Sequence, residues 1–96
     1  MRFEWDDEKN AANIAKHGID FSTAIAIFDD QNRLEENSLK PEHEEIRIKI
    51  IGKTDAFIFV LTVVYTNRNQ NRRIISARRA SRDERKKYLE LNPDLQ

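Results

Sequence analysis

The sequence predicts an α+β fold: a short N-terminal strand and two helices, then a twisted antiparallel sheet of about four strands, then a C-terminal helix. Three observations carry that prediction. Apolar residues recur at helical spacing through residues 7–28, the period shortens toward two beyond residue 32, and a Ser-x-x-Glu capping signature opens a last helical stretch at Ser81. Ninety-six residues give one domain, 1–96, with enough chain for a modest core.

The elements follow in order. "RFEW" alternates Arg2 and Glu4 with Phe3 and Trp5, as a half-buried strand does. Asp6 or Asp7 then caps a helix with Ala11, Ile14 and Ala15 on its apolar side, and Gly18 stops it in the left-handed position. A second helix opens at Asp20 or Ser22 and places Phe21, Ala24, Ile25 and Phe28 at i, i+3, i+4 and i+7. "NRLEEN" is a weak strand signal, and "SLKPEHEE" reads as a polar connection. "EIRIKIIG" sets Ile46, Ile48 and Ile50 against Arg47 and Lys49, which gives a strand with one wet, basic face. "AFIFVLTVVYT", residues 56–66, is apolar on both faces, as a covered central strand should be. "RRIISARR" returns as the last strand with Ile74 and Ile75 in the core, and the final helix runs from Ser81 to Asn92-Pro93. Loops of a few residues make neighbouring strands antiparallel, with the helices on one side of the sheet.

Composition narrows the chemistry. No cysteine is present, so disulfides and thiolate metal sites are excluded. His17 and His43 belong to no spaced ligand motif, and Gly18 and Gly52 are too isolated to form a phosphate loop, so no metal or cofactor is expected. "MRFEWDDEKN" lacks a signal-peptide profile, and the longest apolar run, "AFIFVLTVVY", is about half of the roughly 20 residues that a spanning helix needs. The expectation is a soluble, cytoplasmic protein without a membrane partner.

The net charge of zero conceals a strong polarity. Residues 1–44 hold eleven acids and five bases, a balance of −6, and residues 45–96 hold twelve bases and six acids, a balance of +6. Nine bases lie between Thr66 and Tyr88, and seven of them are Arg, whose fork matches phosphate better than the point charge of Lys. Nucleic acid is the partner that this charge favours. If about six cations reach phosphates, binding should weaken with salt along a log-log slope near −4 to −5. RNA also carries its own nucleophile: the 2′-hydroxyl attacks the adjacent phosphate once a base takes its proton, cations hold the developing charge, and an acid protonates the leaving oxygen.

Candidate residues for such a site have ordinary structural readings beside the functional ones. Arg78 and Arg79 are adjacent on a strand and point to opposite faces; Arg78, sharing parity with Ile74 and Ser76, is favoured for the open face. Arg68 stands where the central strand leaves for its turn, where solvation alone would also explain it. Arg47 and Lys49 share a wet face, and Arg72, Arg73, Arg79, Arg82 and Arg85 complete the RNA-binding candidates. Tyr88 packs its ring on the sheet and could bring its hydroxyl to the site edge. His17 is a proton carrier by residue type, or a charge complement to its helix end. Glu45 is a possible base if neighbouring Arg residues hold it.

"FEWD", "N-x-x-K-H-G-I-x-F", "F-D-D" and "IISAR-R-A-S-x-x-E-R-x-x-Y" stand in this order from Phe3 to Tyr88. In these motifs the chain resembles the BrnT family of type II toxins. The resemblance implies a RelE-like fold and a ribonuclease that cleaves RNA and halts translation. It also implies a BrnA-like ribbon-helix-helix antitoxin, with operator DNA reached only through the toxin–antitoxin complex. It does not assign the catalytic residues. The competing reading is a non-catalytic nucleic-acid or ribosome-binding module that uses the same basic surface.

Overall fold

Asp6 begins the first helix by accepting the N–H groups of Glu8 (2.8 Å) and Lys9 (3.3 Å), and Gly18 ends it at φ 70°, donating its own N–H to Ile14 O at 2.7 Å. These are the caps the sequence implies. A computed structural model of the chain describes residues 2–38 and 45–95. Strand β1 (Arg2–Glu4) leads into α1 (Asp7–His17), then α2 (Phe21–Ala24), which tightens into a 3₁₀ turn (Ile25–Asp29). Strands β2 (Leu34–Ser38), β3 (Arg47–Gly52), β4 (Leu61–Arg68) and β5 (Asn71–Arg79) follow, then α3 (Arg82–Leu91) and a terminal 3₁₀ turn (Pro93–Leu95). The weak signal "NRLEEN" thus marks a real strand, whereas His43 and most of the polar connection around it lie outside the described residues.

The five strands form one sheet in the order β1-β5-β4-β3-β2. All neighbours are antiparallel except β1, which adds a parallel edge strand beside the start of β5, Phe3 opposite Arg72. The β4–β5 hairpin turns on Asn69 and Gln70, both left-handed at φ 52° and 67°, as a two-residue type I′ loop requires.

One sheet face carries the main core: Ile50, Leu61, Val63, Tyr65, Ile74 and Ala77 meet Ile19, Phe21, Ala24, Ile27 and Phe28. Phe21, Ala24 and Ile27 are all fully buried at a spacing of three, which explains why α2 gives way to a 3₁₀ turn: three residues per turn keep that row against the sheet. Edge-to-face rings extend the packing, Phe3–Phe28 at 4.8 Å and Phe28–Tyr65 at 5.2 Å.

Four expectations change. The helices do not all share one side: α3 packs on the opposite face, over Ile51, Val60 and Ala80 through its own Tyr88 and Leu89. The central strand begins at Leu61 rather than Ala56, because β3 ends at Gly52 and β5 at Arg79, leaving residues 56–59 no ladder to join. Phe57 and Phe59 still fold back on the core, while Ile58 between them is 95% exposed. Ile75 is half-buried rather than core, since a bulge in the β4–β5 register leaves it without an opposite residue, Ile74 facing Tyr65 and Ser76 facing Val64. Finally, α1 turns its Ala11, Ile14 and Ala15 stripe to solvent and buries Asn13 instead.

That inversion has a polar cause. Beyond the short β1, the edge of β5 has no strand beside it among the described residues, and Asn13 substitutes for one. Its Nδ2 donates to Ala77 O (2.7 Å) and Ile19 O (2.9 Å), and its Oδ1 accepts the Ala77 N–H (3.1 Å). Asn10 repeats the device by accepting the Phe21 N–H at 2.9 Å. Asn13→Ala leaves these buried backbone groups unpaired and is expected to cost about 3 kcal/mol in urea denaturation; a loss below about 0.5 kcal/mol would remove Asn13 from this role.

Candidate functional site

The pleat sorts the basic residues onto two faces. Arg47 and Lys49 of β3, Arg73 and Arg78 of β5, and Arg68 at the end of β4 share the face that α3 covers only at one end. The register places Lys49 opposite Val64, Val64 opposite Ser76, and Thr62 opposite Arg78. Simple alternation would put Ile74 on this face too. The bulge reverses parity between Ile74 and Ser76, so Ile74 and Ala77 both enter the core while Ser76 and Arg78 look outward.

Glu84 is the centre of this face. Its side chain is only 8% exposed, and it binds Arg78 through two oxygens, at 2.7 and 2.9 Å. It also pairs with Lys49 Nζ at 3.0 Å and accepts from the Thr62 hydroxyl at 3.0 Å and the Ser81 N–H at 2.8 Å. Burial alone would raise the Glu84 carboxyl; the Arg78 fork, the Ser81 N–H and Lys49 more than offset it and hold the group far below the usual carboxylate range. The same hydrogen bond raises Arg78 further. The cluster continues to Glu36, which lies 3.7 Å from Lys49 and 2.9 Å from Lys87 and is lowered chiefly by the Lys87 hydrogen bond. Glu84 and Ser81 also complete the capping box of α3, so one carboxylate starts the helix and orients two cations of the sheet.

The remaining candidates are distributed as follows. Arg73 lies on the open face, paired with Glu4 at 2.7 Å, and Arg68 meets Glu45 at 3.5 Å, with both side chains partly exposed. Arg47 is half-buried, and among the described residues its Nε has no hydrogen-bond partner. Arg72 is on the opposite face, 4.6 Å from the Phe28 ring centroid and also over Phe3 and Tyr65; Arg79 lies over Phe59 at 5.1 Å. These two stack on core aromatics and do not share the face of Arg78. Arg82 and Arg85 stand exposed on α3. Tyr88 is a correction: its side chain is 1% exposed and its hydroxyl donates to Asp30 Oδ2 at 2.6 Å, with burial first and then Asp30 raising its pKa. It braces α3 against the loop before β2 and reaches no open surface.

His17 lies exposed at the end of α1, lining a groove with Lys9, Lys16 and Ser76 that borders the open face. Glu84 and the two lysines escaped the sequence reading. Glu84 carried a helix-cap signature that accounts for it locally, and its bonds to Thr62 and Lys49 span 22 and 35 residues of chain. Among the described residues no three His, Asp or Glu side chains gather as a metal-holding group, and no helix is long and apolar enough to cross a membrane.

A family model described as the ribonuclease toxin BrnT of type II toxin–antitoxin systems matches residues 5–84. The match runs from the approach to α1 to the first turn of α3, so it includes His17, Lys49, Arg68, Arg78 and Glu84 and ends before Tyr88. No curated protein matches the chain.

The Glu84 geometry sets a pH dependence. Its folded pKa is depressed from an ordinary 4.5, so its contribution to stability is complete above pH 4.5 and is lost as pH falls toward the folded value. Arg78 and Lys49 are about one-third exposed, and water carries part of their charge, so Glu84→Gln is expected to cost about 2 kcal/mol at pH 7. That gap, read by urea denaturation, should narrow steadily below about pH 4.5; a gap constant down to pH 2.5 would contradict the assignment.

Proposed function

The chain belongs to the BrnT family of ribonuclease toxins of type II toxin–antitoxin systems, and from that premise we propose that it cleaves RNA on the open face of its sheet, without a metal or other cofactor, and so inhibits translation in the cytoplasm. The observation that supports this site best is the Arg78–Lys49 pair, two partly exposed cations oriented by one buried carboxylate where α3 meets the sheet. A guanidinium held by Glu84 at two N–H groups and by the Arg79 carbonyl at a third keeps two donors for a phosphate, and its rigidity suits a transition state in which charge grows on the phosphoryl oxygens.

In this reading Lys49 and Arg78 hold the scissile phosphate, and Arg47, Arg68 and Arg73 hold the flanking backbone. The 2′-oxygen attacks phosphorus as its proton passes to a base, the bond to the 5′-oxygen breaks, and an acid protonates that leaving oxygen; the products are a 2′,3′-cyclic phosphate and a 5′-hydroxyl. His17, at the groove beside Ser76, is the proton carrier assigned to these steps; Glu45 orients Arg68 through their ion pair, since four residues of strand, about 13 Å, separate it from Lys49. Tyr88 has no part in them, since its hydroxyl is committed to Asp30. Arg82 and Arg85 extend the cationic surface along α3, whereas Arg72 and Arg79 serve packing.

The family operates with an antitoxin. We assign that partner as a BrnA-like ribbon-helix-helix protein whose acidic segment covers the open face and through which the complex binds and represses its own operator.

Protein made by cell-free synthesis and incubated with single-stranded RNA in EDTA should release fragments ending in 2′,3′-cyclic phosphate. The double variant Arg68→Ala, Arg78→Ala should lower the rate by at least about a hundredfold, the scale for losing preorganised charge stabilisation. Undiminished cleavage by that variant would remove the site. A shifted band without fragments would instead favour a binding module, and cleavage that appears only with added divalent metal would overturn metal independence.

A further inference from the structure

The cations on the open face are largely engaged within the molecule. Lys49 and Arg78 share Glu84, Arg73 holds Glu4, and Arg68 holds Glu45, so a phosphate arriving there competes with a carboxylate already in place. A different situation holds along α1. Lys9, Lys16 and His17 line a groove of about 290 Å³ against Ile75 and Ser76 of β5, and among the described residues no carboxylate lines it. Among the described residues these three side chains take part in no ion pair.

We infer that this groove is a second RNA-binding track, which holds the sugar–phosphate backbone of the strand on one side of the cleavage site. The inference rests on the ribonuclease reading above and extends it to residues in the acidic half of the chain. Lys9 and Lys16 are seven residues apart, two helical turns or about 10.5 Å along one side of α1, a spacing suited to phosphates one or two nucleotides apart. Asn13 lies between them and is spent on the β5 edge, which fixes α1 and its lysines relative to the strand. The bulge at Ile75 turns that side chain into the groove as an apolar floor. Ser76 opens the groove onto the catalytic face: it lies in register with Val64 and Lys49, and Arg78 is two residues along the same strand, roughly 7 Å away. An RNA strand crossing the sheet from Arg78 therefore meets Ser76 and then unpaired cations, and nothing has to be displaced for them to bind it.

The test uses Lys9→Ala, Lys16→Ala, both on the exposed surface of a helix that alanine favours. Substrates are a dinucleotide, whose single phosphate is the scissile one and leaves none for the groove, and a twelve-nucleotide RNA. For the longer RNA, KM should rise about tenfold with kcat unchanged, and the log-log salt slope of kcat/KM should fall by about 1.4, two single-strand contacts at about 0.7 each. The dinucleotide kinetics should not move. A charge-matched control, Lys53→Ala, Lys86→Ala, should keep the wild-type salt slope.

Unchanged KM and slope for the longer RNA, an equal loss on both substrates, or an equal slope change in the control would each overturn the track. If the wild-type protein cleaves neither substrate, the ribonuclease reading has failed, and anisotropy titration of the twelve-nucleotide RNA decides the groove separately: a slope lowered by about 1.4 in the groove variant supports it, and an unchanged slope overturns it.

Discussion

A single buried carboxylate, Glu84, ties the C-terminal helix to the sheet. A carboxylate at 8% exposure is costly unless its oxygens are fully used, and here a guanidinium, an ammonium, a hydroxyl and a backbone N–H use them. Each partner comes from a different place: β3 supplies Lys49, β4 supplies Thr62, β5 supplies Arg78, and the helix cap supplies Ser81. Removing any of the three strands from register would strand the charge, so the ion cluster and the β3–β4–β5 ladder support one another. Tyr88, one turn further along α3, adds the apolar half of the same attachment through its buried ring and its bond to Asp30.

The other face is organised by a different constraint, the exposed edge of β5. Three residues of β1 pair with its beginning, and the Asn13 amide pairs with Ala77 further along. Between these two lies the bulge, where the chain changes parity. Its consequence is double: Ile74 and Ala77 can both enter the core, and Ser76 and Arg78 can both leave it. The outward position of Arg78 therefore depends on a local irregularity of the strand next to a polar side chain that closes the sheet edge.

Much of the fold is legible in local sequence because its causes are local. Asp6, Asp20 and Ser81 cap helices by reaching backbone a few residues away, Gly18 stops α1 because a left-handed residue costs glycine little, and Arg47 alternates with Ile48 because a strand has two faces. The inward face of α1 was not legible. Hydrophobic spacing selected Ala11, Ile14 and Ala15, while the buried position went to Asn13, whose value lies in a strand edge 64 residues away. Residues 56–59 misled in the same way: they have the composition of a strand, but backbone pairing needs a neighbour and the described strands offer none at that end of the sheet.

The sequence by itself determined the family, through motifs of a ribonuclease toxin, and the gathering of arginines on the last strand and helix, because residue type and spacing along the chain carry that information. Tertiary structure decided which of those charges are available. It set Arg78 and Lys49 on one carboxylate, spent Arg72 and Arg79 on aromatic rings, enclosed Tyr88, and left the unpaired lysines on the helix that the charge count had marked as acidic. Those outcomes depend on which side chains meet across the sheet, and the meeting is set by strand register, one bulge, the packing of α1 along the β5 edge and that of α3 on one face.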